Sequence, residues 1–145
     1  MILVSACLLG IDCKYNGGNN LCKKALELGS NIVPFCPEQL GGLSTPRSPV
    51  EIVGGDGKDV LLGKAAALTK TGKDVTAYFI KGAEMSAKLT DLTKAKTAVL
   101  KANSPSCGVN CIYDGTFSRT KREGDGVTAA LLRQKGLRVI TELDL

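Results

Sequence analysis

The first six residues, Met1 to Ala6, are apolar almost without interruption. A strand that alternates has one wet face, whereas a continuous apolar run suits a strand covered on both faces of a parallel sheet. Three similar short runs follow, at residues 31–35, 97–100 and 137–140. Between them the apolar spacing becomes helical. Leu21, Ala25 and Leu28 share one face after the candidate caps Asn19 and Asn20, and Gly29 supplies a stop. Asp74 caps a longer pattern through Val75, Tyr78, Phe79, Met85, Leu89 and Leu92, and an apolar helix from Val127 to Lys135 ends at Gly136.

Strands alternating with helices predict an α/β fold, a small three-layer domain over residues 1–145 with right-handed crossovers. Its mostly parallel sheet has about four strands, in the expected order 2-1-3-4. The middle of the chain departs from this rhythm. Val50 to Val53 and Val60 to Leu62, on either side of Gly54-Gly55-Asp56-Gly57, predict a β-hairpin excursion, while residues 64–72 match neither period.

With 145 residues the chain can bury roughly 70% of its unfolded surface without covalent staples. No stretch is long and apolar enough to span a membrane, and Met1 to Leu9 lacks the basic start and cleavage site of a signal peptide, so a cytoplasmic location with reduced thiols is expected. The net charge of +5 includes one basic loop, Arg119 to Arg122, but 4% aromatics and no Trp leave little stacking surface for single-stranded nucleic acid. Gly124-Asp125-Gly126 resembles a fragment of a phosphate loop without the rest of either nucleotide fingerprint.

Six cysteines and no histidine change the picture more. Any metal must be held by thiolate, with or without carboxylate. Three predicted strands each deliver one cysteine at or just past their carboxyl end: Cys7, Cys36 and Cys107. In an open parallel sheet those ends line the edge where ligands bind. The bland alternative is that cysteines fill the core as small apolar residues, which is the reading for Cys22. Thiolates select iron-sulfur clusters, zinc or copper(I), and three of them on a 4Fe-4S cluster leave one iron open, although Cys13 or Cys111 is available as a fourth ligand.

Five segments together resemble the thiouracil desulfidases, a small bacterial iron-sulfur family long catalogued as of unknown function. They are Ser5-Ala6-Cys7-Leu8-Leu9-Gly10; Cys36-Pro37-Glu38 with Gly41-Gly42-Leu43 and Pro46-Arg47; Ser104-Pro105-Ser106-Cys107-Gly108; Ile112 to Phe117; and Gly124 to Leu132. The resemblance implies an oxygen-sensitive 4Fe-4S cluster ligated by Cys7, Cys36 and Cys107, absent from air-exposed protein, with a free iron for the sulfur of a thiolated pyrimidine. It makes Cys13 a bystander. Two positions depart from the family pattern, with Asn16 in place of Asp and Arg119 in place of Gly. Relatives acting on tRNA carry an additional domain, so the expected substrate is a free base or nucleoside.

The expected reaction is non-redox: water replaces the exocyclic sulfur and sulfide leaves. Glu38, two residues past a ligand, is the expected general base, with Ser104 as a second catalytic group. Ser106, Arg47 and Lys101 are the expected substrate contacts, Arg47 alternatively locking its loop to Glu51. The rival is a non-enzymatic thiolate module that binds or carries zinc or iron-sulfur, and a second rival is a redox pair of Cys13 with Cys111.

Overall fold

Leu3 and Val4 are neighbours in sequence, and both have no exposed surface, so the strand that carries them is covered from two sides. The computed structural model describes residues 1–145. That first strand is β1 (Ile2–Ser5), followed by a 3-10 turn (Ala6–Leu9), α1 (Lys23–Leu26), β2 (Ile32–Phe35) and α2 (Pro37–Leu40). An excursion then comprises β3 (Val50–Val53), α3 (Gly57–Leu61) and β4 (Ala66–Thr69). The chain continues through α4 (Thr76–Thr93), β5 (Thr97–Leu100), β6 (Cys111–Tyr113), β7 (Lys121–Glu123), α5 (Val127–Gln134) and β8 (Arg138–Thr141), ending in a 3-10 turn at Glu142–Asp144.

The central sheet runs β2-β1-β5-β8 with every pair parallel, the order expected from the four apolar runs. Pro34 sits in β2 at the sheet edge, where its missing N–H breaks no ladder. One layer of core joins Leu3, Phe35, Leu100, Ala129 and Leu132; the opposite layer joins Val4, Leu8, Cys13, Ala25 and Val99. A third cluster packs the β3–β4 hairpin on Phe79, Ala83, Ile112 and Val127.

Several local expectations are corrected. Val60 and Leu61 lie in α3, not in a strand, because Asp56 and Asp59 exchange side-chain and backbone hydrogen bonds in a capping box that nucleates a helix there. The partner of β3 is β4, within the stretch whose period matched nothing. The helix expected from Leu21 to Leu28 shrinks to α1. Asn20 and Cys22 donate their N–H groups to the carbonyls of Cys7 and Leu8, which ties that segment to the first turn before any helix can begin. Half of the basic loop is β7, paired antiparallel with β6.

The face of α4 that packs inward is built of small residues, Gly82, Ala83, Ser86 and Thr90 with Phe79, while Tyr78 and Leu92 are exposed. This permits backbone-to-backbone contact with α2. A Cβ added at Gly82 would lie 2.2 Å from the Pro37 carbonyl oxygen, and one at Gly41 2.1 Å from that of Tyr78. The N-cap is Val75 rather than the expected Asp74, which lies one residue earlier and accepts from Thr76 N–H at 2.9 Å, so the helix starts one residue later than expected.

Candidate metal centre

Cys7 lies in the turn after β1, Cys36 at the N-terminal boundary of α2 just past β2, and Cys107 in the turn after β5. Because β2, β1 and β5 are adjacent and parallel, their carboxyl ends bring these three residues to one edge. They line a single cavity of about 570 Å³ together with Cys13, Glu38, Arg47, Lys101, Ser104 and Ser106. The arrangement keeps every sequence-predicted site residue on one wall or another of that cavity.

The turn that carries Cys107 is closed by Ser104. Its Oγ accepts from the N–H groups of Ser106 (3.2 Å) and Cys107 (3.1 Å), while its carbonyl accepts from Gly108 N–H at 2.8 Å. Glycine at 126 lets α5 dock directly on this turn, since an added Cβ would meet the Ser106 carbonyl carbon at 2.5 Å. The first helical N–H groups of α5 are spent on the Pro105 and Ser106 carbonyls. In the phosphate-loop fragment the Gly124 and Gly126 N–H groups are likewise taken, by the Asn110 and Gly108 carbonyls. Ser5 joins the strand ends, accepting from Lys101 N–H at 3.0 Å and donating to Cys107 Sγ at 3.5 Å.

Glu38 and Arg47 form a largely buried ion pair, Nε to Oε1 at 3.0 Å, with side chains only 14% and 8% exposed. The rest of the guanidinium donates to the Ser44 carbonyl, Thr45 Oγ1 and the Cys13 carbonyl. The expected tie to Glu51 is replaced by this pair; Glu51 instead accepts from Gly115 and Phe117 N–H. The other oxygen of Glu38 accepts from Ser106 Oγ at 2.8 Å, and Ser106 Oγ lies 3.0 Å from Ser104 Oγ. With Ser104 donating, the two hydroxyls form a directed chain that ends on the carboxylate. Lys101 is among the residues that line the cavity, and its ammonium donates to Glu142 (2.6 Å) and the Ala102 carbonyl (3.1 Å).

Cys13 is the residue that sequence reasoning set aside. It is 2% exposed, packs in the same core cluster as Cys7 with Cys36 against it, and its carbonyl accepts from the Cys36 thiol at 3.9 Å. Gly10, at φ 85°, reverses the chain after the first turn, and the Ile11 N–H to Ala6 carbonyl bond folds the loop back over Cys7. That glycine, five residues after the first strand, was the available signal. Asn16 keeps the function an Asp would have there, its Oδ1 accepting from Gly18 N–H at 3.0 Å. Arg119 adopts φ 62°, a conformation that glycine takes without strain. Cys22 packs beside Cys7 and Ala25 in the core, as expected, and Cys111 on β6 does not line the cavity with Cys13.

Donation from Cys13 is the main cause that lowers the thiols of Cys7 and Cys36 below their ordinary value, with Asn20 assisting at Cys7 and the Gln39 N–H at Cys36. The same contacts hold Cys13 protonated. Burial pushes Cys107 up to about 12. No three Cys, Asp or Glu side chains converge tightly enough to grip one ion. A tetrahedral zinc needs its sulfurs about 4 Å apart, from bonds of about 2.3 Å. Cys7, Cys36 and Cys107 line one cavity as an all-thiol donor set, the ligand type that iron-sulfur clusters take.

The chain is similar to known proteins over almost its whole length. Residues 2–144 match the family described as 2-thiouracil desulfurase. YbbK of Bacillus subtilis (strain 168), described as uncharacterized, is 51% identical over 147 residues, covering 100% of this chain and 97% of its own. The solved structure of the [4Fe-4S]-dependent thiouracil desulfidase TudS superposes with a TM-score of 0.86 at 40% identity, covering 99% of this chain and 91% of that one. An edge of strand-end thiols and a sequence match that runs almost end to end thus agree: the chain belongs to the 2-thiouracil desulfurase family.

Proposed function

We propose that this chain, acting as one domain over residues 1–145 in the reducing cytoplasm, removes sulfur from a thiolated pyrimidine base or nucleoside. The reaction is hydrolytic and non-redox: the thiocarbonyl and water become a carbonyl and hydrogen sulfide. Cys7, Cys36 and Cys107 would hold a 4Fe-4S cluster. When bound, that cluster supplies an iron with no protein ligand, a Lewis acid with affinity for sulfur. The observation that carries the reading is the convergence of three strand-end cysteines on a cavity whose wall also holds the Glu38 carboxylate.

Glu38 takes the proton from the attacking water. Arg47 holds this carboxyl group in one orientation, and the pair leaves room on it, since a carboxylate offers about four lone-pair sites and two are used here. Ser106 and Ser104 form the line along which a proton can return to the leaving sulfur or to a ring nitrogen. Arg47 acts through Glu38 rather than on the ring. Lys101 adds positive charge at the cavity margin, its ammonium already satisfied by Glu142. A cavity of about 570 Å³ lies within the usual range of roughly 300–1,000 Å³ for small-molecule sites, with room for a pyrimidine beside a cofactor.

The test is anaerobic reconstitution with iron and sulfide, followed by incubation with 2-thiouracil and with 4-thiouridine. Sulfide release from at least one is expected. An intact cluster with no release from either would remove the desulfidase reading. Glu38→Gln should retain the cluster absorbance and lose activity by about 10²–10⁴-fold, the usual contribution of a general base.

A further inference from the structure

The wall of the cavity that follows β5 runs from Lys101 to Cys107, and one of its polar side chains is left unengaged. Lys101 donates to Glu142, Ser104 closes the Cys107 turn, and Ser106 donates to Glu38. Asn103 lines the same cavity, half-buried, and its amide is hydrogen-bonded to no residue of the chain. Asn16, Asn19 and Asn110 differ, since each spends its side-chain oxygen on a backbone N–H or on Arg133. Asn103 is placed by its backbone instead. It adopts a left-handed φ of 67°, which asparagine tolerates better than most residues with a side chain, and it bridges in parallel to Ile112. Beyond that bridge Tyr113 and Phe117 line the cavity as well, and Glu51 fixes the Phe117 N–H at 3.2 Å.

We infer that Asn103 is a specificity-determining residue that reads the imide edge of the substrate ring, its amide oxygen accepting from N3–H and its amide N–H donating to the ring's other carbonyl. This rests on the desulfidase reading above. In a 2-thiopyrimidine and a 4-thiopyrimidine alike, N3–H stands between the thiocarbonyl and the remaining carbonyl. One amide therefore pairs with the same two groups whichever carbon carries the sulfur. An amide is the side chain that presents an acceptor and a donor side by side, which neither a carboxylate nor an ammonium can do. Asn103 directly precedes Ser104, whose Oγ accepts from the Cys107 N–H at 3.1 Å, so an edge read there lies beside the cysteine turn. Tyr113 and Phe117 supply aromatic surface against which a planar ring packs.

The test compares wild type, Asn103→Gly and Asn103→Asp after anaerobic reconstitution. Each is assayed on whichever of 2-thiouracil and 4-thiouridine the wild type desulfurises, and on the N3-methyl form of that substrate. Glycine takes a φ of 67° without strain, so Asn103→Gly removes the amide and keeps the turn, while Asn103→Asp keeps the shape and loses the donor. Iron and sulfide content should equal wild type in both variants. Asn103→Gly should lower kcat/KM by roughly 10–100-fold, the worth of two hydrogen bonds, through a raised KM with kcat nearly unchanged. Asn103→Asp should fall by about tenfold or more. Wild type should discriminate against the N3-methyl substrate, and Asn103→Gly should lose most of that discrimination. Wild-type kcat/KM in both variants overturns the inference, as does undiminished discrimination in Asn103→Gly. Loss of cluster from both variants also overturns it, since the residue would then be structural. If wild type with an intact cluster releases no sulfide from either substrate, the desulfidase reading falls and the inference with it; if wild type turns over and the variants match it, only the inference fails.

Discussion

Replacing Arg47 with Met tests whether this residue serves the protein by holding Glu38. The Arg47 side chain is 8% exposed and its guanidinium donates five hydrogen bonds, to Glu38, the Ser44 carbonyl, Thr45, the Cys13 carbonyl and, at 4.0 Å, the Cys36 sulfur. Methionine fills much of the same volume and donates none. Glu38, 14% exposed, would keep only Ser106 as a partner. Breaking one side of a buried pair costs about 3–5 kcal/mol, mostly because the remaining charge is stranded. An exposed pair would cost only about 0–1 kcal/mol. The expected loss for Arg47→Met is therefore about 3 kcal/mol or more, which in a chain of this size lowers the melting midpoint by roughly 10 °C. Urea unfolding of the metal-free protein under reducing conditions, followed by circular dichroism, measures it. Removing the stranded charge as well, in Arg47→Met with Glu38→Gln, should recover at least about half the loss, a coupling within the range of about 0.5–3 kcal/mol seen for contacting residues. A single-variant cost below about 1 kcal/mol, or a double variant equal to the sum of its singles, would refute the buried-clamp reasoning.

Gly82→Ala sets two effects against each other. Helix propensity favours alanine by about 1 kcal/mol, but the new Cβ would meet the Pro37 carbonyl oxygen at 2.2 Å, and backbone there cannot rotate away. Overpacking of about 1–3 kcal/mol should prevail, shifting α2 and weakening cluster uptake; an unchanged or raised unfolding midpoint would refute it. In metal-free protein, iodoacetamide should distinguish the thiols by pH. Cys36, lowered to about 6, is expected to be largely thiolate and reactive by pH 8, whereas Cys107, raised to about 12, stays protonated and inert there. Equal labelling of the two at pH 8, mapped by mass spectrometry, would contradict the electrostatics of the site. Thr128 is fully buried in α5, and its hydroxyl has no hydrogen-bond partner. Thr128→Val should leave stability unchanged or raise it by about 1 kcal/mol, and a clear loss in urea unfolding would mean that the hydroxyl is satisfied.

The layered sheet was legible along the chain because continuous apolar runs such as Leu3-Val4 and Ala98-Val99-Leu100 have only one stable home, between two covering layers. The positions of Cys7, Cys36 and Cys107 at strand ends were legible for the same reason, since parallel topology places successive carboxyl ends on one edge. Where local patterning misled, a local rival had prevailed: the Asp56–Asp59 box made a helix from Val60, and hydrogen bonds to the first turn shortened α1.

Partner choice at long range was another matter. Glu51 lies four residues from Arg47 and Glu38 nine, yet packing assigned Arg47 to Glu38 while Glu51 took the β6–β7 loop. The place of Cys13 depended on how the loop after Gly10 folds back, which no periodicity records. Hydrophobic pattern is written in sequence order and so determined the sheet, its edge and the thiols delivered there. Hydrogen-bond partnership depends on ångström distances between residues far apart in the chain, so the clamp on Glu38 and the fourth thiol were decided only when the layers closed.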